Sequence, residues 1–172
     1  MLVSYYGMDE WINMILRFKQ ESLEPLINKI ANKSMVFTNG CFDILHVGHA
    51  RYLREASELG DFLIVGLNTD ASVKSLKGSK RPIVPELERA EMLCHLEVVD
   101  AVVLFDEETP YELISALKPK ILVKGGDWSP NEIVGSDVVL RNGGIVKSLS
   151  LIDGRSTTNI IKKILNDIRE EK

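Results

Sequence analysis

Short, continuous apolar runs separated by helix-length segments restrict this chain to few architectures. Asp61-Phe-Leu-Ile-Val-Gly-Leu67 has no polar alternation, which suits a parallel strand covered on both faces. Ser34-Met-Val-Phe, Ala101-Val-Val-Leu-Phe105, Ile121-Leu-Val123 and Ile145-Val146 read the same way. Between them lie helical patterns. Leu53, Ala56 and Leu59 recur at helical spacing, with Gly60 expected at the position just past the helix end. Pro85 suits a helix start, followed by Leu87, Ala90, Leu93, Cys94 and Leu96. Thr109-Pro110 is expected to cap a helix to Leu117, and a short helix is expected over 131–141. Ser156-Thr-Thr158 then caps a last helix striped by Ile160, Ile161, Ile164, Leu165 and Ile168. Strand–helix alternation of this kind predicts an α/β, Rossmann-like, doubly wound five-stranded parallel sheet, with ligands beyond the carboxyl ends of the strands.

The first thirty-three residues read as an N-terminal helical extension (1–33) before the main domain (34–172). Met8, Trp11, Ile12, Ile15 and Lys19 share one helical face, and Leu23, Leu26, Ile27 and Ile30 suggest a second short helix. That extension either packs on its own domain or forms a homodimer contact.

Composition excludes several classes. With a net charge of −4 the 172-residue chain is no general binder of nucleic acid or anionic membranes. No apolar run has the length of a membrane span, and Met1 to Leu16 lacks a basic region, so a cytoplasmic location is expected. Cys41 and Cys94 form no Cys-x-x-Cys pair, and no ligand cluster for a metal is visible. A Mg²⁺ ion would be held mainly by phosphates.

The chemistry concentrates in one turn. Two of the three histidines, His46 and His49, fall within four residues after a strand, around Gly48 at a helix start. Backbone N–H groups and the helix dipole favour an anion there, and Gly48 allows it close. Lys74, Lys77, Lys80 and Arg81 crowd an expected loop over 69–84, whose cations could close over a triphosphate. Gly154-Arg-Ser-Thr-Thr158 offers hydroxyls at a second helix start.

Gly40-Cys-Phe-Asp-Ile-Leu-His-Val-Gly-His49 and Gly154-Arg-Ser-Thr-Thr158 resemble the paired motifs of the nucleotidyltransferase superfamily that includes glycerol-3-phosphate cytidylyltransferase. With Arg89-Ala-Glu91, Val123-Lys-Gly-Gly-Asp127 and Val134-Gly135 they are similar, more narrowly, to the D-glycero-β-D-manno-heptose 1-phosphate adenylyltransferases. The resemblance runs from about Ser34 to Ile168. It implies transfer of AMP from ATP, with Mg²⁺, to a sugar 1-phosphate, and a separate sugar kinase to make that acceptor. It places His46, His49 and Lys77 in catalysis. It assigns Asn39, Gly40, Cys41, Phe42, Gly48, Arg155, Ser156, Thr157 and Thr158 to the nucleotide and its phosphates. Asp43, Lys124, Asp127 and Trp128 would face the acceptor. A flavin-adenylylating relative, a glycerol-phosphate cytidylyltransferase and a non-catalytic nucleotide-binding module are the competing readings.

Overall fold

The computed structural model describes residues 15–150 and 156–170. Six parallel strands form one sheet: β1 (Ile15–Arg17), β2 (Met35–Gly40), β3 (Phe62–Asn68), β4 (Ala101–Phe105), β5 (Ile121–Gly125) and β6 (Ile145–Leu149), in the order β1-β4-β3-β2-β5-β6. The helices are α1 (Glu24–Lys29), α2 (Val47–Ser57), α3 (Asp70–Lys77), α4 (Glu86–Cys94), α5 (Tyr111–Leu117), α6 (Ser136–Arg141) and α7 (Thr157–Glu170).

Alternation along β3 explains its uninterrupted apolar sequence. Phe62 and Ile64 join Phe37, Val103 and Leu122 in one core with residues of α1, α5 and α6. Leu63, Val65 and Leu67 point the other way, into a second core with Leu53 and Ala56 of α2 and Leu93 of α4. Both faces are dry, so neither can be polar.

Five expectations are corrected. The sheet has six strands rather than five, because Ile15–Arg17 pairs in register with Val102–Leu104. Ile15 therefore lies on a strand and not on a helical face with Lys19; Met8, Trp11 and Ile12 lie outside the described residues. Residues 70–77 are helical, not loop: the Thr69 hydroxyl accepts the Ser72 amide, and Val73 packs at zero exposure. Gly60 does not close α2 in the left-handed conformation. A Cβ there would sit 2.4 Å from the Ser34 carbonyl oxygen, so the glycine serves close packing of two backbone segments. The helix expected over 131–141 is split: Gly135, at φ +85°, separates a 3₁₀ turn (Pro130–Glu132) from α6. The stripe on α7 forms, yet Ile164, Leu165 and Ile168 stay about half exposed.

Strands β2, β3 and β4 step across the sheet in one direction, and β5 returns to the other side of β2. The topological switch thus lies between the carboxyl ends of β2 and β5, where such sheets open a crevice.

Candidate active site

The crevice starts at Gly40, the last residue of β2. Phe42 follows in the left-handed region, at φ +43°, where a bulky side chain is held only by its surroundings. Its buried ring meets His49 with centroids 5.2 Å apart. His46 is the N-cap of α2 and His49 lies three residues on, so helical spacing stacks their rings at 3.8 Å and 17°. Gly48 is buried between them in the first turn of α2. Burial, then the neighbouring His46 and Lys77, pulls the His49 pKa down to about 4. At neutral pH it is an uncharged imidazole with one N–H to donate.

A cleft of about 300 Å³ opens beside this pair, lined by Asn39–Asp43, His49, Tyr52, Lys77, Arg81, Lys124, Gly125 and Thr157. Its cations come from three elements. Lys77 ends α3 and lines the cleft, whereas Lys74 and Lys80 do not. Lys124 reaches across the switch to donate to the Asn39 side-chain oxygen at 3.3 Å. Burial lowers its pKa, Cys41 opposes the shift and Lys77 adds to it. From the far side of the chain Thr157 donates to the Ile44 carbonyl at 3.3 Å, which brings the start of α7 onto the histidine turn. Ser156 caps α7 by accepting the Asn159 amide at 3.1 Å. Thr158 is exposed, and Arg155 lies outside the described residues.

Asp43 borders the cleft, with its carboxylate engaged inside the protein. It is buried, accepts the Ile83 and Val84 amides at 2.8 and 2.9 Å, and holds Arg81 Nε at 2.6 Å. It organises the 81–84 loop and presents Arg81 to the cleft. Trp128 borders a second cleft of about 380 Å³ that shares Asn39, Gly40, Cys41, Lys77 and Lys124 with the first, while Asp127 is exposed and lines neither of the two.

Arg81 belongs to the basic run, and its pairing with Asp43 is non-local. One residue escapes a reading of the sequence as a site. Arg89 is almost fully buried. Its guanidinium donates to the carbonyls of Val84, Cys41 and Asn68 at 2.9, 2.6 and 2.9 Å and pairs with Asp70 at 2.8 Å. It ties together the ends of β2 and β3 and the starts of α3 and α4. A signal existed: Arg89 sits four residues before Leu93, in the buried stripe of α4.

Fold and site together define an α/β domain with a cation-lined crevice at the switch of a doubly wound sheet. Residues 37–163 match the cytidylyltransferase-like family model, and the chain belongs to that family. It is 57% identical over 143 residues to the bifunctional protein HldE of Geobacter metallireducens, covering 83% of this chain and 29% of that protein. With the bifunctional protein HldE of Syntrophotalea carbinolica it shares 54% identity over 149 residues, 86% and 30% of the two chains. The chain therefore spans about 30% of the length of these relatives. Among solved structures, a lipopolysaccharide core biosynthesis protein from Thermoplasma volcanium is 31% identical with a TM-score of 0.57, covering 70% of this chain and 98% of that one. Pantothenate synthetase from Thermus thermophilus, 13% identical at a TM-score of 0.54 over 80% and 62%, shares the fold alone.

Proposed function

We propose that this domain transfers AMP from ATP to a heptose 1-phosphate, giving ADP-heptose and pyrophosphate. The observation that carries this is His49, stacked on His46 at the start of α2, in a cleft whose charged lining includes Lys77, Arg81 and Lys124. Identity to the HldE proteins over more than four-fifths of the chain supports the adenylyl and heptose specificities.

A phosphate oxygen of the sugar attacks the α-phosphorus of ATP in line. The bond from that phosphorus to the bridging oxygen breaks, and pyrophosphate leaves with its electron pair. No bond to the protein forms, so the protein positions the reactants and stabilises the growing charge. Neutral His49 donates its N–H to a phosphoryl oxygen, and His46 adds a second imidazole one turn away. Lys77, Arg81 and Lys124 balance the triphosphate, and Ser156, Thr157 and Thr158, with Arg155, hold its outer part. Trp128 and Lys124 face the acceptor; Asp43 acts through Arg81.

Among the described residues no group of three His, Cys, Asp or Glu side chains is placed to hold a metal. The donors of the cleft suit phosphates, so Mg²⁺ is assigned to the nucleotide, where it neutralises charge. A kinase outside this domain supplies the sugar 1-phosphate.

Pyrophosphate release is the test, with Mg-ATP or Mg-CTP against heptose 1-phosphates of both anomers, glycerol 3-phosphate and flavin mononucleotide. Turnover confined to ATP and a heptose 1-phosphate is expected. Turnover with flavin mononucleotide or glycerol 3-phosphate instead overturns the acceptor.

A further inference from the structure

The second cleft, of about 380 Å³, adjoins the phosphate cleft through Lys77 and Lys124, so a molecule with its phosphate at this shared rim extends away from the histidines. What it meets there is chemically distinct. Glu108 and Thr109, between β4 and α5, stand with Trp128 and Glu132 from the segment after β5. Leu76, Ile133 and Val134 complete an apolar wall.

Three neighbouring carboxylates are already engaged. Asp106 accepts the Thr69 hydroxyl at 2.6 Å, Glu107 pairs with Lys19 at 2.7 Å, and Glu132 accepts the Ser129 amide at 3.2 Å. Glu108 has no ion-pair or hydrogen-bond partner among the described residues, although it borders the cleft. Glu108 is exposed on the cleft border, where its carboxylate trades water for the hydroxyl donors of a ligand that enters. The half-exposed indole of Trp128 offers a flat face for the C–H surface of a ring. Cations at one end with carboxylate, hydroxyl and indole at the other fit a phosphorylated polyol rather than a second nucleobase.

We infer that this cleft receives the polyhydroxylated end of the acceptor and that Glu108 is a specificity-determining residue reading its hydroxyls. The inference rests on the sugar 1-phosphate reading of the domain and adds the residue that selects the sugar.

The test uses the full chain. Trp11 and Trp128 are its only tryptophans, so in a Trp11→Phe protein the fluorescence reports Trp128 alone. Titration with heptose 1-phosphate, without ATP, should change that emission. Glu108→Ala should weaken the titration and raise the acceptor KM about tenfold or more, the size of a lost charged hydrogen bond, with the KM for ATP unchanged. Glu108→Gln, which retains an acceptor oxygen, should fall between. An unaltered acceptor KM in Glu108→Ala, or equal rises for ATP and acceptor, overturns the role of Glu108 while wild-type turnover preserves the proposed activity. Failure of the wild-type protein to use any heptose 1-phosphate overturns both.

Discussion

His49 shows how a single residue acquires its chemistry from where it is buried. Its ordinary pKa is 6.5, and burial, His46 and Lys77 together bring it to about 4. In the unfolded chain the imidazole takes up its proton near 6.5; in the folded protein it does so near 4. Between those values the unfolded state binds more protons, so the contribution of His49 to stability is complete above pH 6.5 and is lost as pH falls to about 4. Nuclear magnetic resonance of the imidazole should therefore show His49 neutral down to about pH 4 in the free protein. Addition of a non-hydrolysable ATP analogue should move the midpoint upward, because phosphate charge favours the imidazolium. A midpoint near the ordinary histidine value would contradict the burial described here. Catalysis gives a second expectation at this scale. His49→Ala should lower kcat by about 10²–10³, roughly 3–4 kcal/mol of barrier, if its N–H stabilises the transition state. Unchanged kcat would remove it from that role.

At the scale of elements, α3, α4 and the ends of β2 and β3 are joined by Arg89 rather than by apolar packing alone. Three of its acceptors are main-chain carbonyls that no other described side chain satisfies in the same way. Arg89→Met should therefore destabilise the domain by on the order of 3–5 kcal/mol in urea unfolding, since it strands buried acceptors and Asp70 together. Arg89→Lys should not rescue it, because one ammonium cannot span the positions of a planar fork. Stability equal to wild type would show the network to be dispensable. The same scale explains two misread segments. Helix α3 carries Lys74, Lys77 and the Gly78 that follows, a composition typical of loops, and at eight residues it is too short for its amphipathic pattern to stand out. Strand β1 is three residues long, too short for alternation to register, and is defined by pairing with β4, 87 residues away for Ile15 and Val102.

For the whole molecule, the consequence is a crevice assembled from distant pieces that only the folded state possesses. A ligand that binds it must stabilise the fold: Mg-ATP at about a hundred times its Kd should add roughly 2.7 kcal/mol, seen as a rise of several degrees in Tm. The absence of any rise would argue against ATP as the ligand of this cleft. The strand–helix alternation, the histidine turn and the cap at Ser156 are legible in residue order. These are local: periodicity, a glycine and an N-cap act over one to four residues, and chain order alone carries them. Folding alone sets which lysine of the basic run lines the cleft, that Asp43 pairs with Arg81, that Arg89 joins the ends of β2 and β3, and that a second cleft with Glu108 lies beside the first. Those assignments depend on contacts such as Asp43 with Ile83, Cys41 with Arg89 and Ile44 with Thr157, separated by 40, 48 and 113 residues. Residue type shows that a side chain can accept or donate; its partner at such separations is set only when β2, β3 and β5 align and bring the loops at their ends together.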